Sequence, residues 1–166
     1  MVARTWRRRA SPAAHAIAQM PDSFQALLRQ YEGSPIGPVL AGTFTDLWAS
    51  SLLPKRTKAL MFAVIAQGLN CGLSRNEACA VLAAEGLSQA DVDAILAHLG
   101  GPGVSADEAA LLAFARDSIW YEPQQIQRKA QALHRLLGAP RFVEALGVVS
   151  FGNAVCRLAA VMLDGR

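Results

Sequence analysis

Apolar residues recur at helical spacing along nearly the whole chain after residue 20, and no stretch alternates in the manner of a half-buried strand. The pattern therefore predicts an all-α domain. Phe24, Leu27, Leu28 and Tyr31 mark a first helix, opened by Pro21 in a first-turn position and stopped at Gly33. A second is expected from Pro38 or Val39 to Ser50, with Val39, Leu40, Phe44, Leu47 and Trp48 on its apolar side. The third starts at Pro54 and carries Ala59, Leu60, Phe62, Ala63, Val64, Ile65 and Ala66. A helix that is apolar nearly all round belongs at the centre of a fold.

Capping signals set the later boundaries. Ser74-Arg75-Asn76-Glu77 fits a capping box, in which the serine hydroxyl accepts from the third helical amide and the glutamate reaches back, so a fourth helix is expected from Ser74 to about Glu85, ahead of Gly86. Ser88-Gln89-Ala90-Asp91 opens a fifth bearing Val92, Ile95, Leu96 and Leu99, and Gly100-Gly101-Pro102-Gly103 breaks the chain. Ser105-Ala106-Asp107-Glu108 caps a sixth that runs to about Ile119. After Glu122-Pro123 the seventh groups Ile126, Ala130, Leu133, Leu136 and Leu137 before Gly138. The last spans about Pro140 to Leu163, with Gly147 and Gly152 as the places for a kink.

Composition fits one well-buried domain: 166 residues, 52% of them hydrophobic. We expect this domain over residues 21–166, preceded by a basic, poorly ordered segment over residues 1–20. Once the arginines at positions 4, 7, 8 and 9 are set aside, the formal net charge of +3 becomes −1, so the basic character belongs to the tail. A tail with no aromatic interleaving beyond Trp6, and no basic stripe downstream, argues against a nucleic-acid partner. The longest apolar run, residues 59–69, has the length of a core helix and not of a membrane span. Ala10-Ser11-Pro12 interrupts any secretory apolar region, so no membrane association and a cytoplasmic location are expected.

Three cysteines, Cys71, Cys79 and Cys156, are too few and too scattered for a secreted disulfide framework. The histidines, His15, His98 and His134, have no zinc-ligand spacing with them, and neither a metal nor a cofactor is expected. The informative segment is Asn70-Cys71-Gly72-Leu73-Ser74-Arg75-Asn76-Glu77-Ala78-Cys79. A Cys-x-x-Cys dithiol places two sulfurs on one helix face, where the helix N-terminus lowers one thiol's pKa. Here Ser74 holds the second position; its hydroxyl can hydrogen-bond a thiolate but cannot close a disulfide. Cys79 is no substitute: eight residues along one straight helix span roughly 12 Å, whereas a disulfide needs Cα atoms within about 7 Å. Cys79 and Cys156, each among small apolar neighbours, read as core residues. Cys71 is left as the candidate nucleophile, with Arg75 as the nearest cation and Glu77 assigned to the cap, while Leu69 and Leu73 argue for an inert buried thiol.

Other conspicuous residues have plain readings. Trp120-Tyr121 would pack a corner or line a pocket mouth. His134 sits on a solvated face, His98 meets the carbonyl end of the fifth helix, and Asn153 is a buried amide at a helix contact.

The order of an apolar helix over residues 58–69, Asn70-Cys71, a capped helix ending Ala84-Glu85-Gly86-Leu87-Ser88, the short Asp91-Val92-Asp93-Ala94-Ile95 helix, and the helix with Glu108-Ala109-Ala110-Leu111-Leu112-Ala113-Phe114-Ala115 resembles the carboxymuconolactone decarboxylase/alkylhydroperoxidase D (AhpD-like) family. The resemblance covers most of residues 21–163. It implies an AhpD-like bundle of antiparallel helices assembled into trimers or hexamers. The family's peroxidase motif is Cys-x-x-Cys-x-x-x-His with a glutamate about a dozen residues upstream. Cys71 matches the first cysteine, Ser74 replaces the second, Ala78 replaces the histidine, and the glutamate position falls near Lys58 and Ala59. The resemblance thus implies a site at Cys71 and Ser74. Two functions follow from it: a one-cysteine thiol-dependent peroxidase that relies on an external thiol reductant, or a non-catalytic helical oligomer that keeps the fold as a scaffold. Decarboxylase-type chemistry has less support, because it draws on histidines and none lies between Pro21 and Asp93.

Overall fold

The computed structural model describes residues 22–162. Among them the chain forms eight helices and no strand: α1 (Asp22–Gln30), α2 (Ile36–Ala49), α3 (Lys55–Gly68), α4 (Gly72–Ala84), α5 (Gln89–His98), α6 (Ala106–Asp117), α7 (Pro123–Leu137) and α8 (Ala139–Met162). The all-α expectation holds. Pro21, the basic segment over residues 1–20 and His15 lie outside the described residues.

α3 is the central helix, as its apolar circumference predicts. Every residue from Thr57 to Ala66 is buried, and α3 packs most extensively against α4, α8 and α6. Full burial of a side chain such as Leu60 or Ile65 contributes about 1.5–3 kcal/mol, so this one helix organises much of the core. An aromatic layer closes one end. Phe44 stacks on Trp48 with centroids 5.6 Å apart and meets Phe151 at 5.3 Å, and Trp48 stands edge-on to Phe62 at 6.4 Å.

α8 runs unbroken for 24 residues. Its glycines serve close approach: a Cβ on Gly152 would sit 3.0 Å from Ile65 and 3.4 Å from Phe62, and one on Gly147 would sit 3.1 Å from Leu47. By length and composition α8 is long and apolar enough to cross a membrane, but 44% of its most apolar window is buried within the domain. Asn153 is half-buried, not enclosed as expected; its amide donates to Ser118 Oγ at the end of α6 at 2.9 Å and to Val149 O within α8 at 3.0 Å, while its Oδ1 has no hydrogen-bond partner.

The capping boxes at Ser88/Asp91 and Ser105/Glu108 are both formed. α2 starts earlier than expected, at Ile36, because Pro38 falls in the first turn, where its missing N–H costs nothing. Trp120 and Tyr121 do not pack a corner; they are 76% and 66% exposed, with Tyr121 in the left-handed region at φ 47°.

The aromatic layer stands beside a buried ion pair that sequence reading did not find. Lys58 Nζ, fully enclosed, donates to Glu144 Oε1 at 3.1 Å and to the α2 carboxy-terminal carbonyls of Leu47 (3.0 Å), Trp48 (3.2 Å) and Ser50. Glu144 Oε2 in turn accepts from Ser50 Oγ at 2.9 Å and from Leu53 N–H at 3.2 Å. A charge held away from water persists only when paired and hydrogen-bonded. Here one lysine caps α2, ties α3 to α8, and holds the residue 50–53 turn in place.

Candidate functional site

Cys71 is fixed by the way α3 ends. Asn70 takes the left-handed conformation (φ 53°), which asparagine tolerates better than most residues. The Asn70 N–H then donates to Gln67 O at 3.1 Å and the Cys71 N–H to Ala66 O at 2.8 Å. This pair of bonds is a Schellman motif. The chain emerges from it at Cys71, which serves at once as the N-cap of α4, its carbonyl accepting from Arg75 N–H at 3.0 Å.

That geometry overturns the expected helix start. α4 begins at Gly72, two residues before Ser74, so Ser74 lies inside the first turn and forms no capping box with Glu77. The physical reason is the Schellman turn, which delivers the chain in helical register sooner than the serine signal suggests. Ser74 is instead completely buried, and its Oγ accepts a hydrogen bond from Cys71 Sγ at 3.3 Å. The two residues of the expected site are therefore brought together, both enclosed, with Cys71 1% exposed.

Cys156, read from sequence as a plain core residue, is indeed fully buried on α8, in the same core as Cys71. Interaction with the Cys71 side chain and then burial hold the Cys156 thiol above the ordinary thiol range.

Ser74 also lines a small cavity of about 10 Å³ with Phe44, Trp48, Phe62, Glu77, Ala78 and Val81. This is about the space that one water molecule needs. Glu77, which forms no capping box with Ser74, lines the same cavity as Ser74. Arg75 does not serve Cys71: its guanidinium pairs with Asp93 of α5 at 2.9 Å on the surface. Cys79 is only partly buried and free.

The histidines lie elsewhere. His98 occupies the last turn of α5, as expected, and His134 stands edge-on to Phe142 at 5.3 Å in an open groove between α7 and α8. Among the described residues no three histidine, cysteine, aspartate or glutamate side chains are grouped to hold a metal ion.

Glu77 is the residue beside Ser74 that sequence reasoning assigned elsewhere, and Cys156 is the core residue it was expected to be. The period of α8 does place Cys156 inward, in line with Ala145, Val148, Gly152, Val155 and Ala159, but it does not say which helix it faces. Comparison with protein-family models, with curated proteins and with solved structures gives no match to this chain.

Proposed function

We propose that the protein is a thiol-dependent peroxidase of the AhpD-like type, an oxidoreductase with Cys71 as the attacking thiol and an external thiol as the reductant. The observation that carries this reading is the Cys71 Sγ to Ser74 Oγ hydrogen bond at the start of α4. A thiolate at Cys71 sits at the positive end of the helix dipole and accepts from the Ser74 hydroxyl. The thiol proton leaves toward Ser74 and the Glu77 carboxylate that lines the same cavity. The sulfur then attacks one peroxide oxygen, the O–O bond breaks, and the leaving oxygen takes up that proton, giving Cys71 sulfenic acid and water. The enclosure of Cys71, 1% exposed, favours hydrogen peroxide, the smallest peroxide, over bulky hydroperoxides.

The resemblance adds antiparallel packing of the helices and assembly into a homotrimer or homohexamer. Ile36 and Val39 on α2, Val143 and Val161 on α8, and Trp120 and Tyr121 are large apolar side chains left exposed on one chain, and they supply surface for such assembly. Light scattering at micromolar concentration is expected to give a trimer or hexamer mass; a monomer refutes the assembly.

The enclosure of Cys71 supports a second reading, in which the chain is a non-catalytic helical scaffold. Peroxide consumption with dithiothreitol as reductant separates the two. The enzyme consumes hydrogen peroxide, discriminates against cumene hydroperoxide, and loses activity in Cys71→Ser. Equal rates for the parent and Cys71→Ser leave the scaffold reading.

A further inference from the structure

We propose that the groove between α7 and α8 is a binding site for a small aromatic carboxylate. The groove encloses about 460 Å³ and is lined by Gln127, Ala130, Gln131, His134, Arg135 and Phe142. Cys71 is not among them, so the inference stands apart from the peroxidase reading. Gln127, Gln131 and His134 follow one another at i, i+4 and i+7 and so share one face of α7, and Arg135 adds its guanidinium in the last turn. Phe142 supplies the opposite wall from the first turn of α8 and meets the His134 ring edge-on at 5.3 Å.

The charges of this region point to an anion. Every carboxylate from the start of α6 to the end of α8 already has a partner: Asp107 pairs with Arg141, Glu108 with Arg56, Asp117 with Lys129 and Glu144 with Lys58, while Glu122 accepts from Gln125. The cations of α7 and α8 are committed in the same way, Lys129 and Arg141 in those pairs, Arg128 to Gln124 O and Arg157 to Ile119 O. Arg135 is the exception. Among the described residues its guanidinium has no ion pair or hydrogen bond, and the side-chain amides of Gln127 and Gln131 have none either. An uncommitted cation and two uncommitted amides thus line a groove that holds no carboxylate of its own.

A guanidinium presents a planar fork that receives a carboxylate through two parallel hydrogen bonds. The Phe142 and His134 rings offer an aryl body an edge-to-face surface, and the glutamine amides donate to or accept from its polar substituents. The groove falls in the range of about 300–1,000 Å³ typical of small-molecule sites. Engaging the cation and the rings at once selects a ligand that carries charge and ring together.

The test is a titration of the isotope-labelled full-length protein with naphthoate, followed by heteronuclear NMR, against naphthamide, which keeps the ring without the charge, and acetate, which keeps the charge without the ring. Naphthoate should saturate with a Kd of about 1 mM and shift the side-chain signals of Gln127, Gln131, Arg135 and Phe142. Naphthamide and acetate, and naphthoate on Arg135→Gln, should each bind at least about tenfold more weakly. Phe142→Leu should weaken naphthoate by about threefold or more. Arg128→Gln, which removes an exposed cation of α7 outside the lining, should bind as the parent does; a loss there equal to that of Arg135→Gln reduces the effect to the general charge of α7 and overturns the site. Equal binding of naphthoate and naphthamide, or a parent-like Kd in Arg135→Gln, overturns it as well. Groove signals that move on dilution without any ligand would assign the groove to a second copy of this chain and remove the carboxylate as its occupant.

Discussion

Lys58→Met is the substitution whose outcome the structure specifies most tightly. The Lys58 side chain has no exposure and Glu144 has 4%, and no solvent is at hand to take over when one partner is lost. Methionine fills the aliphatic volume but leaves the Glu144 carboxylate buried with only Ser50 Oγ and Leu53 N–H as donors, and removes the cation from the carbonyls of Leu47, Trp48 and Ser50. Removing one partner of a buried pair costs about 3–5 kcal/mol. At about 2–4 °C per kcal/mol for a chain of this size, Tm should fall by roughly 6–20 °C. Glu144→Gln should cost less, about 1–3 kcal/mol, because its amide oxygen still accepts from one donor while its NH2 meets the other as donor against donor. The double variant Lys58→Met/Glu144→Leu leaves no stranded charge, so its loss should fall well short of the sum of Lys58→Met and Glu144→Leu measured alone. Urea unfolding followed by circular dichroism provides all the values. A Lys58→Met protein within about 1 kcal/mol of the parent, or strict additivity in the double, would refute the argument that the pair is buried and coupled.

The junction that holds Cys71 should respond to Asn70. Asn70→Gly should be near neutral, whereas Asn70→Val, a β-branched residue in the left-handed region, should lose about 1–2 kcal/mol and raise the alkylation rate of Cys71 in the folded protein. Gly152→Val should cost about 1–3 kcal/mol by overpacking against Ile65 and Phe62, measured by the same unfolding assay; an unchanged midpoint would mean that α8 does not approach α3 so closely. Asp91 is held below its ordinary pKa of 3.8 by the Ser88 side chain first and the Ser88 backbone second. A depressed carboxylate contributes fully above the unfolded-state value and loses that contribution as pH falls through the lowered folded-state value. The Ser88 amide shift followed by NMR should therefore titrate with a midpoint below 3.8, and a midpoint above it would show that the capping box is not formed.

What the sequence determined by itself is the part governed by local periodicity and short-range capping. The number of helices in the described residues, the central place of α3, the boxes at Ser88 and Ser105, and the inward face of α8 all follow from interactions within a few residues. The error at Ser74 is instructive because two local signals competed there. The left-handed Asn70 closes α3 in a Schellman motif and starts α4 at Gly72, which turns the would-be capping serine inward. An asparagine directly before a cysteine, at the end of a helical run, was a legible signal for that turn.

Only the tertiary structure decided which side chains meet. Lys58 and Glu144 stand 86 residues apart, and periodicity can bury each of them without saying that they bury each other. Cys71 and Cys156 come to share one core through the packing of α3 against both α4 and α8. A helical repeat records direction about one axis and carries nothing about the rotation and height of a neighbouring axis. Those are set when the core closes around α3, and with them the enclosure of Ser74 and the small cavity that Glu77 lines.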